Sequence, residues 1–261
     1  PAVLPAGFDA PKYEILPLDG AAMKAFVARW RPGLSQAKIE ALVARIDAHP
    51  DMAALTRIPL FLSLLLATWD GSSGLPSGRA ELIEAYLNTL FRPEEHKDTV
   101  RAVDPEGLRA ASEALSFHLL ERGEIGAGER DVRKVMASYA GPKASADQLH
   151  DDALRAGLLR RQGGGRLAFP FPIIQEYLAA CHLLAVHKSE IATRAERAVE
   201  RPWAHAIQFA LEQLPDATSI ATDLLAKPDD AFASTARLLG RCIANGMGCA
   251  PEVAAEVGRR L

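Results

Sequence analysis

Apolar residues recur every three to four positions through most of this chain, and strand-like runs are few and short. Asp19 can cap a helix whose inner face is Met23, Phe26, Val27 and Trp30. Ser35 can cap a second, with Ile39, Leu42, Val43 and Ile46 at the same spacing. Pro59 opens an apolar helix running to Trp69, which Asp70-Gly71-Ser72-Ser73-Gly74 then stops. Its core, Leu60 to Ala67, falls far short of the ~20 residues of a membrane span, so it reads as a helix buried on every side. Ser77 can cap a fourth helix, with Ile83, Tyr86, Leu87 and Leu90 inward, and residues 18–92 together predict a helical bundle.

Residues 93–103 are charged and aperiodic, a linker by composition. Asp104-Pro105-Glu106 is a strong start for a helix to about Arg122: a capping carboxylate, a proline at the first position and an acid near the positive end of the dipole. Glu124-Ile125-Gly126 could be a short strand. Val132, Val135, Met136 and Tyr139 mark another helix, and Ser145 to Ala156 a third. Leu158 to Ala168 then places two strand-like runs around Gly163-Gly164-Gly165, which predicts a β-hairpin with a glycine turn. Pro172 opens the next helix, whose buried face is Ile174, Tyr177, Leu178 and Cys181. Helix, short strand, helix, helix, strand, strand is the order of a winged helix over 93–186. Residues 187–261 are helical again, with starts at Pro202, Asp216, Asp229 and Pro251, and could pair into a HEAT-like solenoid. The fold class expected is mainly α: a bundle, a winged helix with a small hairpin, and a helical C-terminal region.

Composition narrows the setting more than the chemistry. The 261 residues, 49% hydrophobic and 24% charged, suit a soluble globular protein with a substantial core. A net charge of −3 gives no general attraction to nucleic acid or an anionic membrane. Three sparse cysteines fit a reducing cytosol better than a disulfide framework. Residues 1–17 carry prolines and a short strand-like run, Tyr13 to Leu16, with no partner strand nearby, so the chain is expected to begin part-way through a larger protein. The alanine- and arginine-rich usage hints at a GC-rich bacterial genome.

No catalytic constellation emerges. Cys242 and Cys249 lack the spacing of a zinc site, the seven histidines are scattered, and no serine or cysteine sits in a nucleophile elbow. Adjacent acids at Glu94-Glu95 and Asp151-Asp152 point apart on a helix. Arg155, Arg160, Arg161 and Arg166 cluster around the wing, but the preceding helix carries Asp147, Asp151 and Asp152, whose charges would repel a duplex. The arginines are better matched to a neighbouring domain, a partner subunit or solvent.

Three segments, in order, resemble the NACHT proteins of the STAND class, signal-transducing NTPases that switch between ADP and ATP. Tyr13 to Trp30 resembles the strand and helix leaving the ATPase core. Ile58-Pro59-Leu60-Phe61-Leu62, followed by Leu75-Pro76 and Arg79-Ala80-Glu81-Leu82-Ile83-Glu84, resembles the Asn-Pro-Leu-Leu-Leu segment of the helical domain. Phe169 to Ala180 resembles Phe-x-His-x-x-Phe-Gln-Glu-Tyr-Leu-Ala-Ala at the end of the winged helix, with Phe169, Gln175, Glu176 and Tyr177 as signature residues. The likeness covers about residues 10–185.

The resemblance implies that Pro59 packs against the adenine ring. It also implies that position 171 should hold the histidine that reaches the β-phosphate; this chain has Phe171 there, which cannot donate, and Arg166 is the candidate replacement donor. Glu176 is expected to bond to the wing backbone while Tyr177 fills the core. The chain contains no Gly-x-x-x-x-Gly-Lys-Ser/Thr phosphate loop and no acidic strand end for magnesium. It therefore resembles the regulatory part of a switch, not itself an enzyme, that closes over ADP, with ATP and Mg handled by an upstream NACHT core. The partners so implied are that core, a second copy on activation and an unknown protein or ligand trigger, in cytoplasmic signalling or antiphage innate defence. A winged-helix DNA-binding regulator and a nucleotide-free interaction scaffold are the alternatives.

Overall fold

The computed structural model describes residues 16–69, 74–91, 104–195 and 203–261, without the side chains of Pro50 and Asp51. The strand expected from Tyr13, the stop at 70–73, the linker at 93–103 (with Glu94-Glu95) and the helix start at Pro202 lie outside these residues. Among the described residues are fourteen α-helices and one three-stranded sheet, the mainly α fold that the periodicity predicts. No helix among them is long and apolar enough to cross a membrane. The chain divides into two compact units, 1–75 and 76–261.

The first unit contains α1 (Gly20–Trp30), α2 (Gln36–Asp47), α3 (Pro50–Leu55) and α4 (Pro59–Thr68). Asp19 caps α1 by accepting a 2.7 Å bond from the Ala22 amide, and Pro32 prevents the helix from continuing past Arg31. Ser35 precedes α2 but makes no side-chain capping bond. Met23, Val27, Ile39, Leu42, Val43, Ile46 and Met52 form an apolar core with Leu62, Leu65 and Leu66 of α4. That helix is buried nearly all round, with Ala67 left exposed. The six-residue α3 has too few turns to show a period, and the sequence reading missed it.

The second unit begins with α5 (Arg79–Phe91), which the sequence pattern grouped with the bundle ending at residue 92. It packs instead on α6 (Pro105–Glu121) and α9 (Pro172–Val186), which between them make the most extensive helix–helix contact. Small buried residues on both helices, including Ala111, Ser112, Ala179 and Ala180, allow their close approach. The hydroxyls of Ser112 and Ser116 bond to carbonyls of their own helix, so they are buried without loss of partners. Ser77 does not cap α5: its amide and hydroxyl both donate to Glu81, each at 2.6 Å. A carboxylate one turn into the helix, near its positive end, is the stronger acceptor.

The winged-helix order is complete: α6, β1 (Gly126–Gly128), α7 (Glu129–Ala137), α8 (Ala146–Arg155), β2 (Arg160–Gln162), β3 (Arg166–Ala168) and α9. A full capping box between Ser145 and Gln148 starts α8. The sheet order is β1-β3-β2, antiparallel throughout, with Ala127 and Arg161 both opposite Leu167. Gly164 and Gly165 turn the hairpin at φ 73° and 71°, a backbone that side chains resist. The first strand lies two residues later than expected. At Gly126 a Cβ would come within 2.5 Å of the Leu167 carbonyl oxygen, so only glycine lets β1 pair with β3 there.

After α9 come a 3₁₀ turn (Lys188–Glu190), α10 (Ile191–Arg194), α11 (Trp203–Glu212), α12 (Thr218–Leu225), α13 (Ser234–Ala244) and α14 (Pro251–Arg260). They stack in two rows: α9, α11 and α13 in one, α10, α12 and α14 in the other. The last winged-helix element is thus also the first rung of the C-terminal rows. Asp216 accepts an amide bond from Thr218 at the start of α12, close to the expected start; α13 begins at Ser234, five residues after the expected start at Asp229, whose carboxylate reaches forward to accept the Thr235 and Ala236 amides.

Candidate functional site

The stretch from Phe169 to Ala180 places its signature residues at the meeting point of three elements. Phe169 is buried at the end of the hairpin. Phe171 has an extended backbone, φ −133° and ψ 126°, just before α9, and its ring is half-buried. The next turn sends successive side chains in different directions. Gln175 donates a 3.1 Å bond to the Glu124 carbonyl beside the wing. Glu176 pairs with Nδ1 of His205 on α11 at 2.9 Å. Tyr177 donates to Glu84 of α5 at 2.9 Å, and its ring meets Phe209 of α11 edge-on. The bond to the wing backbone expected of Glu176 is therefore made by Gln175. That segment offers a carbonyl oxygen, which needs an amide donor, and a carboxylate can only accept. Tyr177 fills the core as expected, with 3% exposure.

Behind Tyr177 lies a charged network. Arg109 on α6 forks onto both oxygens of Glu84, at 2.5 and 2.8 Å, and also reaches Glu113 at 2.8 Å. Burial opposes ionisation of Glu84, but the bonds from Arg109 and Tyr177 outweigh it and hold its carboxyl below the usual range. Glu113 is shifted the other way, because burial exceeds what its share of Arg109 returns. Burial pushes the Tyr177 hydroxyl far up and the Cys181 thiol up to about 12. Neither is an available nucleophile at neutral pH. Among the described residues no group of three or more His, Cys, Asp or Glu could hold a metal. The site can join helices and fix their angles.

The wing arginines are largely spent on nearby acids. Arg161 pairs with Glu129 at 3.0 Å, Arg155 with Asp152 at 3.0 Å, and Arg166 with Glu124 at 3.0 Å and the Gly126 carbonyl. Bonds from Arg133 and Arg161 bring the Glu129 carboxyl down to about 2. Asp147 and Asp151 on α8 are well exposed, Asp147 paired with Arg133 and Asp151 bonded to His150, so the helix that would enter a groove presents no free basic face. An Arg166 that reached a phosphate would first have to leave Glu124 and Gly126.

Pro59, the adenine-packing candidate, is the first residue of α4 and is half-buried. It belongs to the first unit, whereas Phe171, Arg166 and the residues around Tyr177 belong to the second. The sequence reading missed Glu84, Arg109 and His205 as partners. Only the Arg109–Glu113 spacing, one helical turn, was visible in the chain. Compared with known proteins, the chain matches no family model, and no curated protein matches it.

Proposed function

We propose that this chain is the regulatory portion of a NACHT-type STAND switch. The bundle and the winged helix close over ADP on an upstream ATPase core, and exchange for ATP and Mg opens them to permit self-association in cytoplasmic signalling or defence. The observation that carries this reading is the junction at α9. Three consecutive signature residues, Gln175, Glu176 and Tyr177, tie the turn before β1, α11 and α5 to one helix. A lid that transmits a change at its nucleotide-facing end needs such a rigid junction.

Pro59 offers a flat apolar ring at a helix N-terminus, suited to adenine. Phe171 occupies the phosphate-reaching position at the start of α9 but brings no donor. A hydrogen bond to a charged group is worth about 1.5–3 kcal/mol, or roughly 10- to 150-fold in affinity. In the full-length native polypeptide, Phe171→His should therefore slow ADP release by about that factor, and Pro59→Ala should speed it. Release rates unchanged in both variants would remove the reading. The DNA-binding alternative is disfavoured by the pairing of Arg155, Arg161 and Arg166 with acids. The scaffold alternative is favoured by one observation, the phenylalanine at 171, and predicts no bound nucleotide at all.

A further inference from the structure

His150, on α8, is only 1% exposed, yet both of its ring nitrogens face carboxylates. Nδ1 lies 2.9 Å from Oδ1 of Asp151, and Nε2 lies 3.5 Å from Oε1 of Glu129, the first residue of α7. An ionised carboxylate can only accept, so Nδ1 carries a proton. In the neutral ring Nε2 then turns a lone pair towards a second acceptor. Nε2 is closed off from solvent and has no hydrogen-bond partner among the described residues. A buried polar atom left in that state calls for a physical reason.

Two acceptors that face each other in a site of low dielectric are reconciled by a positive charge between them. The surrounding charges decide which cation fits. Glu129 also accepts from Arg133 at 2.9 Å and from Arg161 of β2 at 3.0 Å, and Arg133 bridges onward to Asp147 of α8. Glu129, Asp147 and Asp151 are thus set against Arg133 and Arg161, and one further unit of positive charge balances the group. A proton on Nε2 supplies it, whereas a divalent ion would leave an excess beside both guanidinium groups. Among the described residues α6, which also packs on α8, places no charged side chain against the ring.

We propose that His150 is a proton-operated tie inside the winged helix. With Nε2 protonated, the ring donates to Glu129 and Asp151 together and fastens α8 to α7, and through Arg161 to the hairpin. With Nε2 bare, two acceptors oppose each other and that hold is lost. Histidine changes its charge between about pH 5 and 8, so the tie is present in mildly acidic solution and released as pH rises. Glu129 remains an acceptor throughout, because Arg133 and Arg161 hold its carboxyl down at about 2. The sign is opposite to that of a histidine buried in its neutral form. The tie needs no nucleotide and stands apart from the function proposed above.

The test is amide hydrogen exchange across α7 and α8 in the full-length native polypeptide, corrected for the intrinsic pH dependence of exchange, at about pH 6 and about pH 8. Protection should fall about tenfold at the higher pH, the lower end of what a hydrogen bond to a charged group supplies. His150→Gln places an amide nitrogen near the Nε2 position that donates at either pH, so there the difference should vanish. The comparison within the parent needs no substitution and stands even where the variant does not fold. Protection in the parent that fails to fall, or that falls equally in His150→Gln, would overturn the tie. Protection restored at about pH 8 by zinc chloride, in the parent and not in the variant, would overturn it in favour of a metal ion between the two acceptors.

Discussion

The first unit and the junction around α9 both bury helices, but by different means. In the first unit the core is a run of aliphatic side chains on α1, α2 and α4, with Met52 from α3. Apart from exposed pairs such as Gln36–Glu40 and Arg57–Asp47, its polar ties go to backbone: Arg31 to the carbonyls of Leu66 and Trp69, Arg57 to that of Leu18, and Thr56 to that of Met52. Around α9 the ties run from side chain to side chain, through Tyr177, Glu84, Arg109, Glu176, His205, Arg79 and Glu212. An apolar core accepts many similar packings, whereas paired charges with directed bonds admit one. The first arrangement suits a body that must hold together. The second suits a junction that must hold one geometry and can exchange it for another.

The largest effect should come from the aliphatic core. Leu62 is fully buried, and Leu62→Ala should cost about 2–5 kcal/mol, seen as faster hydrogen exchange across α1, α2 and α4. Exchange in 104–195 should not follow. If it does, the two regions are one cooperative body and the contrast fails. Gly126→Ala should come next, at about 1–3 kcal/mol, because the new methyl meets the Leu167 carbonyl oxygen and the Ala168 Cβ at 2.9 Å. Chemical denaturation would show it, and an unchanged midpoint would mean that β1 is not pinned to β3.

Tyr177→Phe keeps the ring against Phe209 and removes only the bond to Glu84. It should cost about 1.5–3 kcal/mol by chemical denaturation, at most, since Glu84 keeps Arg109. A loss as large as that of Leu62→Ala would show that the network, not the ring, carries the junction.

A pH effect sharpens the same comparison. His182 is 8% exposed, and burial, aided by His187, lowers its pKa. The folded state therefore binds its proton less readily than the unfolded chain does. Its contribution is full above the unfolded value of about 6.5 and is lost as pH falls below it. The denaturation midpoint should fall between pH 7.5 and 5, and less steeply in His182→Gln. Parallel slopes would remove His182 as the source. The smallest effect belongs to His205→Ala. The His205 side chain is 48% exposed, so loss of its pair with Glu176 should cost about 0–1 kcal/mol by the same denaturation assay.

This contrast also explains what the sequence made legible. The i, i+3, i+4 spacing located α1, α2, α5 and α7 because each has one apolar face, and start signals at Pro59 and Asp104-Pro105 located α4 and α6. The short α3 and α10 have too few turns to show a period, and both were missed. The strand expected at Glu124-Ile125-Gly126 lies two residues later because its place is decided by a backbone contact at Gly126, while Ile125 is 66% exposed. The junction was half legible. The stretch from Phe169 to Ala180 stood out as a motif, but Glu84 lies 25 residues from Arg109 and 93 from Tyr177. No local pattern links such positions, and the bond assigned to Glu176 belonged to its neighbour because donor and acceptor roles depend on what lies opposite.

The most direct test of the regulatory reading is the intact mass of the native polypeptide, read together with its coding frame upstream of Pro1. The account predicts a longer product that carries a Gly-x-x-x-x-Gly-Lys-Ser/Thr phosphate loop N-terminal to this region and retains ADP through purification. A native product without such a loop would contradict it, since neither unit could then close over a nucleotide of its own.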